Sequence, residues 1–231
     1  IIKREYAALG MKSNFSLFDD TDQVALLKEL TEGLIEDDKV LLQQLISTIS
    51  NWKNDLMTPA QAAAIAKGER DRIFAHCYGL YDAHMKACNV LDFDDLILLP
   101  TLLLQRNEEV RERWQNKIRY LLVDEYQDSN LIQEAILTSV SRISRGENNL
   151  FMVGDVKQSI YRFRLSRPEL FMEKFNTYSL TDGGNRRIDL HKNFRSRAEV
   201  LDAVNFIFRQ IMTEELGRIT YDENAALYVG A

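Results

Sequence analysis

The chain has few of the residues that stabilise small secreted or membrane proteins. Its two cysteines among 231 residues are too few for a disulfide framework and fit a reducing cytosol. No apolar run approaches the ~20 residues that a membrane-spanning helix needs, and the longest, around 96–104, is interrupted by Pro100. The net charge of −6 lacks the basic excess of most nucleic-acid-binding domains. Composition therefore predicts a cytoplasmic globular protein without a membrane span, in which any nucleic-acid site is local.

The pattern of apolar residues changes along the chain. Up to Lys117 it has helical spacing, and one long helix is predicted over 60–86 after the start signal Thr58-Pro59. Beyond Lys117, short apolar runs alternate with helical patterns, which predicts a parallel α/β sheet. The predicted buried strands are 118–123, 149–155 and 186–190. The predicted helices of this part are 131–144, 167–178 and 197–212.

Residues 121–130, LLVDEYQDSN, lead an apolar run directly into carboxylates. In open parallel sheets, ligands bind beyond the carboxyl ends of the strands, which is where Asp124 and Glu125 are predicted to lie. Mg²⁺ takes carboxylate and phosphate oxygens, and a neighbouring Glu could orient or deprotonate a water that attacks a γ-phosphate. The alternative is a solvated strand end, with Asp128 capping the following helix. This motif alone leaves both interpretations open.

Residues 153–164, VGDVKQSIYRFR, follow the second predicted strand. Gln158 lies in the turn or helix after this strand, and the aromatic residues Tyr161 and Phe163 alternate with arginines. Aromatic rings can stack on unpaired bases, and arginines such as Arg164 can hold phosphates or carboxylates. A core-facing aromatic pair flanked by surface arginines is the alternative.

Residues 190–197, LHKNFRSR, place Arg195 just after the third predicted strand. An arginine in this place could reach a transferring phosphate. Most arginines are surface residues, so this stretch by itself carries little weight.

Together the three stretches resemble motifs II, III and IV of the superfamily 1A DNA helicases, the UvrD/Rep/PcrA-like family. Residues 1–128, which include ACNVLDFDDLILLPTLLLQRNEEVR, are similar to the Rep branch. Residues 129–231, which include FMVGDVKQSIYRFRLSRPELFMEKFNTY, are similar to the AddA subunits of bacterial helicase–nucleases. The resemblance implies an ATP-dependent 3′→5′ DNA helicase of repair or replication restart that uses Mg²⁺. It implies single-stranded DNA and duplex junctions as partners, and the partner subunit of a helicase–nuclease is a further option.

The resemblance also implies a role for each matching residue. Asp124 would coordinate the Mg²⁺ of Mg·ATP, and Glu125 would activate the attacking water. Gln158 would sense the γ-phosphate and link it to DNA, and Arg195 would contact that phosphate from the opposite side of the cleft. The residues implied to face single-stranded DNA are Tyr161, Phe163, which stands where the family often has Trp, and Arg164, which would connect this loop to the acids of motif II.

The implied α/β architecture has three parts of a P-loop NTPase fold. Residues 1–117 would form a helical insertion of the 1B type, 118–178 part of the first RecA-like domain, and 179–231 the start of the second. The phosphate-binding loop G-x-x-x-x-G-K-[ST] does not occur, since none of the ten glycines precedes a lysine. We therefore expect a piece of a longer helicase, cut at both ends, that does not hydrolyse ATP alone. The alternatives are a non-enzymatic module that binds DNA or a partner, and the helicase subunit of a helicase–nuclease.

The acids of LDFDDL at 91–96 raise the separate question of a two-metal nuclease site. Asp92 is a good helix cap, however, and Asp94 and Asp95 would point to different sides of the helix that follows. A structural role is therefore predicted for this segment.

Overall fold

The structure is a computed structural model that describes residues 1–35, 38–160, 166–181, 183–217 and 219–230. Its helices are α1 (Ile2–Glu5), α2 (Asp20–Leu30), α3 (Lys39–Asn54), α4 (Pro59–Ile65), α5 (Glu69–Cys88), α6 (Asp95–Arg106), α7 (Glu108–Lys117), α8 (Leu131–Val140), α9 (Pro168–Thr177), α10 (Ala198–Ile211) and α11 (Glu214–Gly217). Its strands are β1 (Ser16–Leu17), β2 (Val90–Leu91), β3 (Leu121–Val123), β4 (Leu150–Met152), β5 (Lys192–Asn193) and β6 (Tyr228–Val229). They form the parallel pairs β1–β2, β3–β4 and β5–β6. The predicted α/β class is confirmed as a mixed α/β fold with small parallel sheets.

A first hydrophobic core holds α2, α3, α4 and α5 together. Trp52 stacks on Tyr78 at its edge, with the ring centroids 5.9 Å apart. The fully or almost fully buried members of this core include Leu27, Leu45, Ile49, Ala62, Phe74, Tyr78, Tyr81 and Met85. This packing of apolar helix faces is the main source of stability for the helical part of the chain.

The single helix predicted over 60–86 was wrong in one respect, because two helices occupy that range. Thr58 caps α4 as predicted, with its hydroxyl oxygen accepting from the Gln61 N–H and the Gln61 side chain returning to the Thr58 N–H. The chain leaves the helical conformation at Ala66 and re-enters it after Gly68. Glycine costs about 1 kcal/mol in a helix interior, so a break at this place is favoured.

A second core crosses the point at which the helical part of the sequence ends. Helices α6 and α7 pack against α8, and Leu104 of α6, Val110 of α7 and Val140 of α8 belong to one buried cluster. The described packing is therefore continuous across residue 117. In the described residues no helix is long and apolar enough to cross a membrane.

The first two predicted strands are confirmed as β3 and β4, although they are not buried on both faces. Leu122 and Phe151 lie opposite each other and are 73% and 56% exposed, whereas Leu121 packs against the second core. The third predicted strand, 186–190, was wrong. Its apolar side chains remain exposed and gain nothing from strand pairing, and the strand that does form is β5, just beyond.

Candidate functional site

Strands β3 and β4 bring the ends of two sequence motifs together. Val123 lies opposite Met152, and the Val153 N–H donates to the Val123 carbonyl at 2.8 Å. The chain then crosses back, because the Tyr126 N–H donates to the Val153 carbonyl at 2.9 Å. Parallel pairing puts both carboxyl ends at one edge of the sheet, so residues 124–128 lie beside residues 153–158.

Asp124 and Glu125 are exposed at this edge, as the apolar run before them predicts. The Asp124 Oδ1 accepts a hydrogen bond from the Glu125 N–H at 2.9 Å. Glu125 adopts the left-handed conformation, with φ 52° and ψ 37°. Such a backbone costs a residue other than glycine on the order of 1–3 kcal/mol, and observed outliers of this kind cluster at functional sites. The turn directs the Glu125 carboxylate back toward the second motif.

Gln127 joins the two motifs, and sequence reasoning missed it. Its side chain is fully buried. The Nε2 donates to the Glu125 Oε2 at 2.6 Å, while the Oε1 accepts from the Asp155 N–H at 3.0 Å. The only sequence signal was its place inside LLVDEYQD. A partner as distant along the chain as Asp155 cannot be read from that motif alone.

Gly154 permits this close approach. A Cβ at this position would lie 2.6 Å from the Gln127 Oε1 and 2.9 Å from the Phe171 ring. Any other residue would therefore push the Gln127 amide or α9 away. The Gly-Asp pair at the end of the second predicted strand was the signal that could have identified Gly154.

Asp155 organises the turn after β4, which is a short 3₁₀ helix over Val156–Gln158. Its Oδ1 accepts from the Lys157 N–H at 3.1 Å and pairs with the Lys157 ammonium at 2.9 Å. Its Oδ2 accepts from the Gln158 Nε2 at 3.1 Å. The exposed Gln158 amide is thereby held at the same edge of the sheet as Asp124 and Glu125.

Asp128 does not cap the following helix, which corrects the alternative interpretation of the motif. The N-cap of α8 is Asn130, whose Oδ1 accepts from the Gln133 N–H at 3.0 Å. Burial, together with the charge of Glu125, raises the pKa of Asp128. Its Oδ1 is buried without a hydrogen-bond partner among the described residues.

Helices α8 and α9 support the turn from below. The fully buried Tyr126 donates its hydroxyl hydrogen to Glu134 of α8, and the Lys174 ammonium of α9 pairs with Glu134 at 2.6 Å. The same ammonium lies 5.1 Å from the centre of the Tyr126 ring, and Phe171 packs beside that ring at 6.4 Å. The acids thus stand on a rigid, buried base.

Arg195 follows β5 in an exposed turn. The Asn193 Oδ1 accepts from the N–H groups of Arg195 and Ser196 at 2.9 and 2.8 Å, which fixes the backbone. The Arg195 guanidinium makes no hydrogen bond or ion pair with any residue that the structure describes, so the structure does not join it to Asp124 or Glu125. The predicted DNA-facing residues Tyr161, Phe163 and Arg164 lie outside the described residues.

The carboxylates at the sheet edge suit a cation that arrives with a phosphate. In the described parts of the chain no three His, Cys, Asp or Glu side chains converge into a metal cage. Mg²⁺ commonly binds through one or two carboxylates together with phosphates and waters. The Asp124 carboxylate is exposed, and only its Oδ1 is engaged by another described residue. Its chemistry therefore fits a Mg²⁺ carried by a nucleotide.

The acids of LDFDDL have a structural role, as predicted. The buried Lys53 ammonium lies 2.6 Å from the Asp92 Oδ2 and 2.7 Å from the Asp95 Oδ1. Burial raises the pKa of Asp95 to about 6. For Asp92, the Lys53 charge outweighs the effect of burial and lowers the pKa. With Tyr81 donating to the Asp92 Oδ2 at 3.0 Å, this cluster joins α3, α5 and α6 instead of offering free ligands.

Comparison with known proteins gives a consistent set of relatives. The family model described as the UvrD/REP helicase N-terminal domain matches residues 1–179. "ATP-dependent DNA helicase Rep" of Salmonella typhimurium is 67% identical over 228 residues, which is 94% of this chain and 32% of the relative. The protein of the same name in Escherichia coli K12 is 65% identical over 227 residues, with the same coverage. The AddA-like ATP-dependent helicase/nuclease protein of Syntrophomonas wolfei is 53% identical over 152 residues, or 65% of this chain and 12% of the relative.

The resemblance to both groups of relatives is thus confirmed. The Rep relatives cover 94% of the chain, so the likeness to Rep is not restricted to residues 1–128. The chain spans 32% of the length of these Rep relatives.

Proposed function

The chain belongs to the UvrD/REP helicase family, and we propose that it forms part of the ATP-driven motor of a DNA helicase. The observation that carries this proposal is the shared sheet edge at which Asp124, Glu125 and Gln158 lie together. The names of the relatives support ATP as the energy source and DNA as the substrate. Buried packing beneath the edge supports a site that keeps its geometry during turnover.

Each residue at the edge has a task that its contacts allow. Mg·ATP, when bound, supplies a γ-phosphoryl group whose negative charge the cation offsets. Asp124 would hold the cation through its free oxygen. Glu125 would orient the attacking water and accept its proton. Gln158, held by Asp155, would report the presence of the γ-phosphate.

Arg195 and the DNA-facing residues complete the proposed motor. Arg195 would approach the phosphate from the far side of the cleft, and its unengaged guanidinium leaves it available to do so. Tyr161, Phe163 and Arg164 would contact single-stranded DNA, and they follow Gln158 closely in the sequence. A movement of Gln158 would therefore be transmitted to the DNA over a short stretch of chain.

The proposal retains the division of the chain that the resemblance implies. Residues 1–117 would be a helical insertion of the 1B type that guides DNA. Residues 118–178 would belong to the first RecA-like domain, and 179–231 would begin the second. We also propose 3′→5′ movement toward duplex junctions during repair or replication restart, and a cytoplasmic location, where bacterial DNA lies.

A second candidate is the helicase subunit of a helicase–nuclease. The similarity to the AddA-like helicase/nuclease protein over 152 residues favours it. The test is purification of the complete protein from its natural host. Copurification of a nuclease subunit in a fixed ratio would support this candidate, and a protein that unwinds DNA with no such subunit would contradict it.

The test of the first proposal uses the complete protein. We expect ATP hydrolysis that single-stranded DNA stimulates, and unwinding of a duplex with a 3′ tail but not of one with a 5′ tail. The polypeptide of these 231 residues, which has no phosphate-binding loop, should show neither activity. ATPase from these 231 residues alone would contradict the need for that loop. A complete protein that binds DNA but hydrolyses no ATP would instead support a non-enzymatic binding module.

A further inference from the structure

Gln127 uses its two amide atoms on opposite sides of the candidate site. The Nε2 donates to a side chain, the Glu125 carboxylate, whereas the Oε1 accepts from the backbone N–H of Asp155. Glu125 itself is exposed, so solvent could satisfy its carboxylate without help from the protein. The bond from Gln127 therefore restricts an acid that has no need of a buried partner for its own stability.

A second buried glutamine shows what a purely structural role looks like. Gln115 is 2% exposed, and its Nε2 donates at 2.9 Å to the backbone carbonyls of Ser139 and Ser141. Those bonds join α7 to the end of α8 and involve no exposed acid. Gln127 differs because one of its bonds reaches out of the core to a carboxylate at the sheet edge.

The space around Gln127 is set by its neighbours. Gly154 leaves only enough room for the Gln127 Oε1, and Phe171 closes the other side by stacking on Phe175 at 6.2 Å. The amide has little freedom to turn, so the position of the Asp155 N–H fixes that of the Glu125 carboxylate. Asp155 in turn holds the Gln158 side chain.

We propose that Gln127 is a positioning residue for ATP hydrolysis, because it fixes the Glu125 carboxylate relative to the turn that carries Gln158. This inference rests on the function proposed above. A displacement of the turn would pass through the Gln127 amide to Glu125. The acid that orients water would then be correctly placed only when the turn is also in place.

The first test measures the structural link without using activity. In the complete protein, hydrogen exchange is followed in the peptide that spans residues 153–158. Gln127→Met removes both bonds at similar size and should accelerate exchange in this peptide by about tenfold. Gln127→Glu keeps an oxygen for the Asp155 N–H and should leave the peptide protected. Unchanged exchange in Gln127→Met would overturn the link.

The second test separates positioning from stability. Both Gln127 variants lose the donor to Glu125, so we expect kcat for DNA-stimulated ATP hydrolysis to fall about 10- to 100-fold while KM for ATP changes less than about twofold. The control, Gln115→Met, removes a buried glutamine of the same kind away from the site and should keep kcat. If the wild-type protein is active and Gln127→Met keeps its kcat, the inference fails and the proposed function stands. If the wild-type protein hydrolyses no ATP, the proposed function fails and the inference falls with it.

Discussion

The buried charge cluster around Lys53 gives the clearest quantitative prediction. The Lys53→Met substitution keeps the volume of the side chain but removes the ammonium from between two acids. The Lys53 side chain is 3% exposed, and its partners Asp92 and Asp95 are 5% and 11% exposed in these ion pairs. Solvent cannot replace the lost charge, and breaking a buried pair by removing one partner costs about 3–5 kcal/mol.

A surface pair provides the matched control. Lys86 pairs with Asp82 at 2.6 Å, but the Lys86 side chain is 69% exposed. Helical surface pairs of this spacing contribute about 0.3–0.5 kcal/mol. Lys86→Met should therefore lower the free energy of unfolding by less than about 1 kcal/mol, several times less than Lys53→Met.

The cost of Lys53→Met should also depend on pH. Burial already raises the pKa of Asp95 to about 6, so its folded form holds a proton more tightly than its unfolded form. Without Lys53, the pKa values of Asp92 and Asp95 should rise further, because the charge that favoured their ionised forms is gone. Protonation then stabilises the folded state, and the loss of stability should be smaller at about pH 5 than at about pH 8.

Urea unfolding of the chain, followed by tryptophan fluorescence, measures this effect. Trp52 stacks on Tyr78 in the adjoining core and reports on its opening. Replacing both acids by Asn in the Lys53→Met background should recover much of the stability, because no buried charge remains. A Lys53→Met protein no less stable than Lys86→Met at about pH 8 would refute this reasoning.

Three further predictions concern other parts of the molecule. Gly154→Ala should destabilise the chain by about 1–3 kcal/mol through overpacking, whereas Gly79→Ala, which meets nothing within 4 Å, should stabilise α5 by about 0.5–1 kcal/mol; denaturant titration compares them, and equal effects would contradict the close approach at Gly154. Burial raises the pKa of Tyr81 and Tyr126, so the stability they contribute is complete below the unfolded value of about 10 and is lost as the pH rises above it; ultraviolet titration of phenolate should show these two ionising only with unfolding. Phe163→Ala in the complete protein should weaken single-stranded DNA binding by about 1–3 kcal/mol, and unchanged affinity in a fluorescence anisotropy titration would exclude base stacking there.

The local parts of the site could be predicted from the sequence, because they depend on neighbouring residues. An apolar run followed by Asp124 and Glu125 predicts a strand with acids at its end, and β3 has this form. The link through Gln127 could not be predicted, because it joins two motifs that only strand pairing brings together. The left-handed backbone of Glu125 was equally hidden, since nothing in the residue type favours it.

The predictions that failed depended on burial, which a short apolar pattern does not determine. Ile188 and Leu190 alternate with charged residues as in a strand, yet they are 63% and 81% exposed. The break before α5 is signalled by Gly68, but the apolar periodicity on both sides of it favoured one helix. The cluster around Lys53 was foreseen only as a structural role for LDFDDL, because its lysine comes from a distant helix.

The central claim is that the sheet edge at β3 and β4 is the catalytic site of an ATP-driven motor, and Glu125→Gln tests it most directly. The substitution keeps the size of the side chain and its bond to Gln127 while removing the base. In the complete protein, we expect DNA-stimulated ATP hydrolysis to fall about 10²- to 10⁴-fold, with nucleotide binding retained. Glu109→Gln, at an acid that is 89% exposed on α7, is the control and should hydrolyse ATP at the wild-type rate. Full turnover in Glu125→Gln would contradict the role given to Glu125 and, with it, the assignment of this edge as the catalytic site.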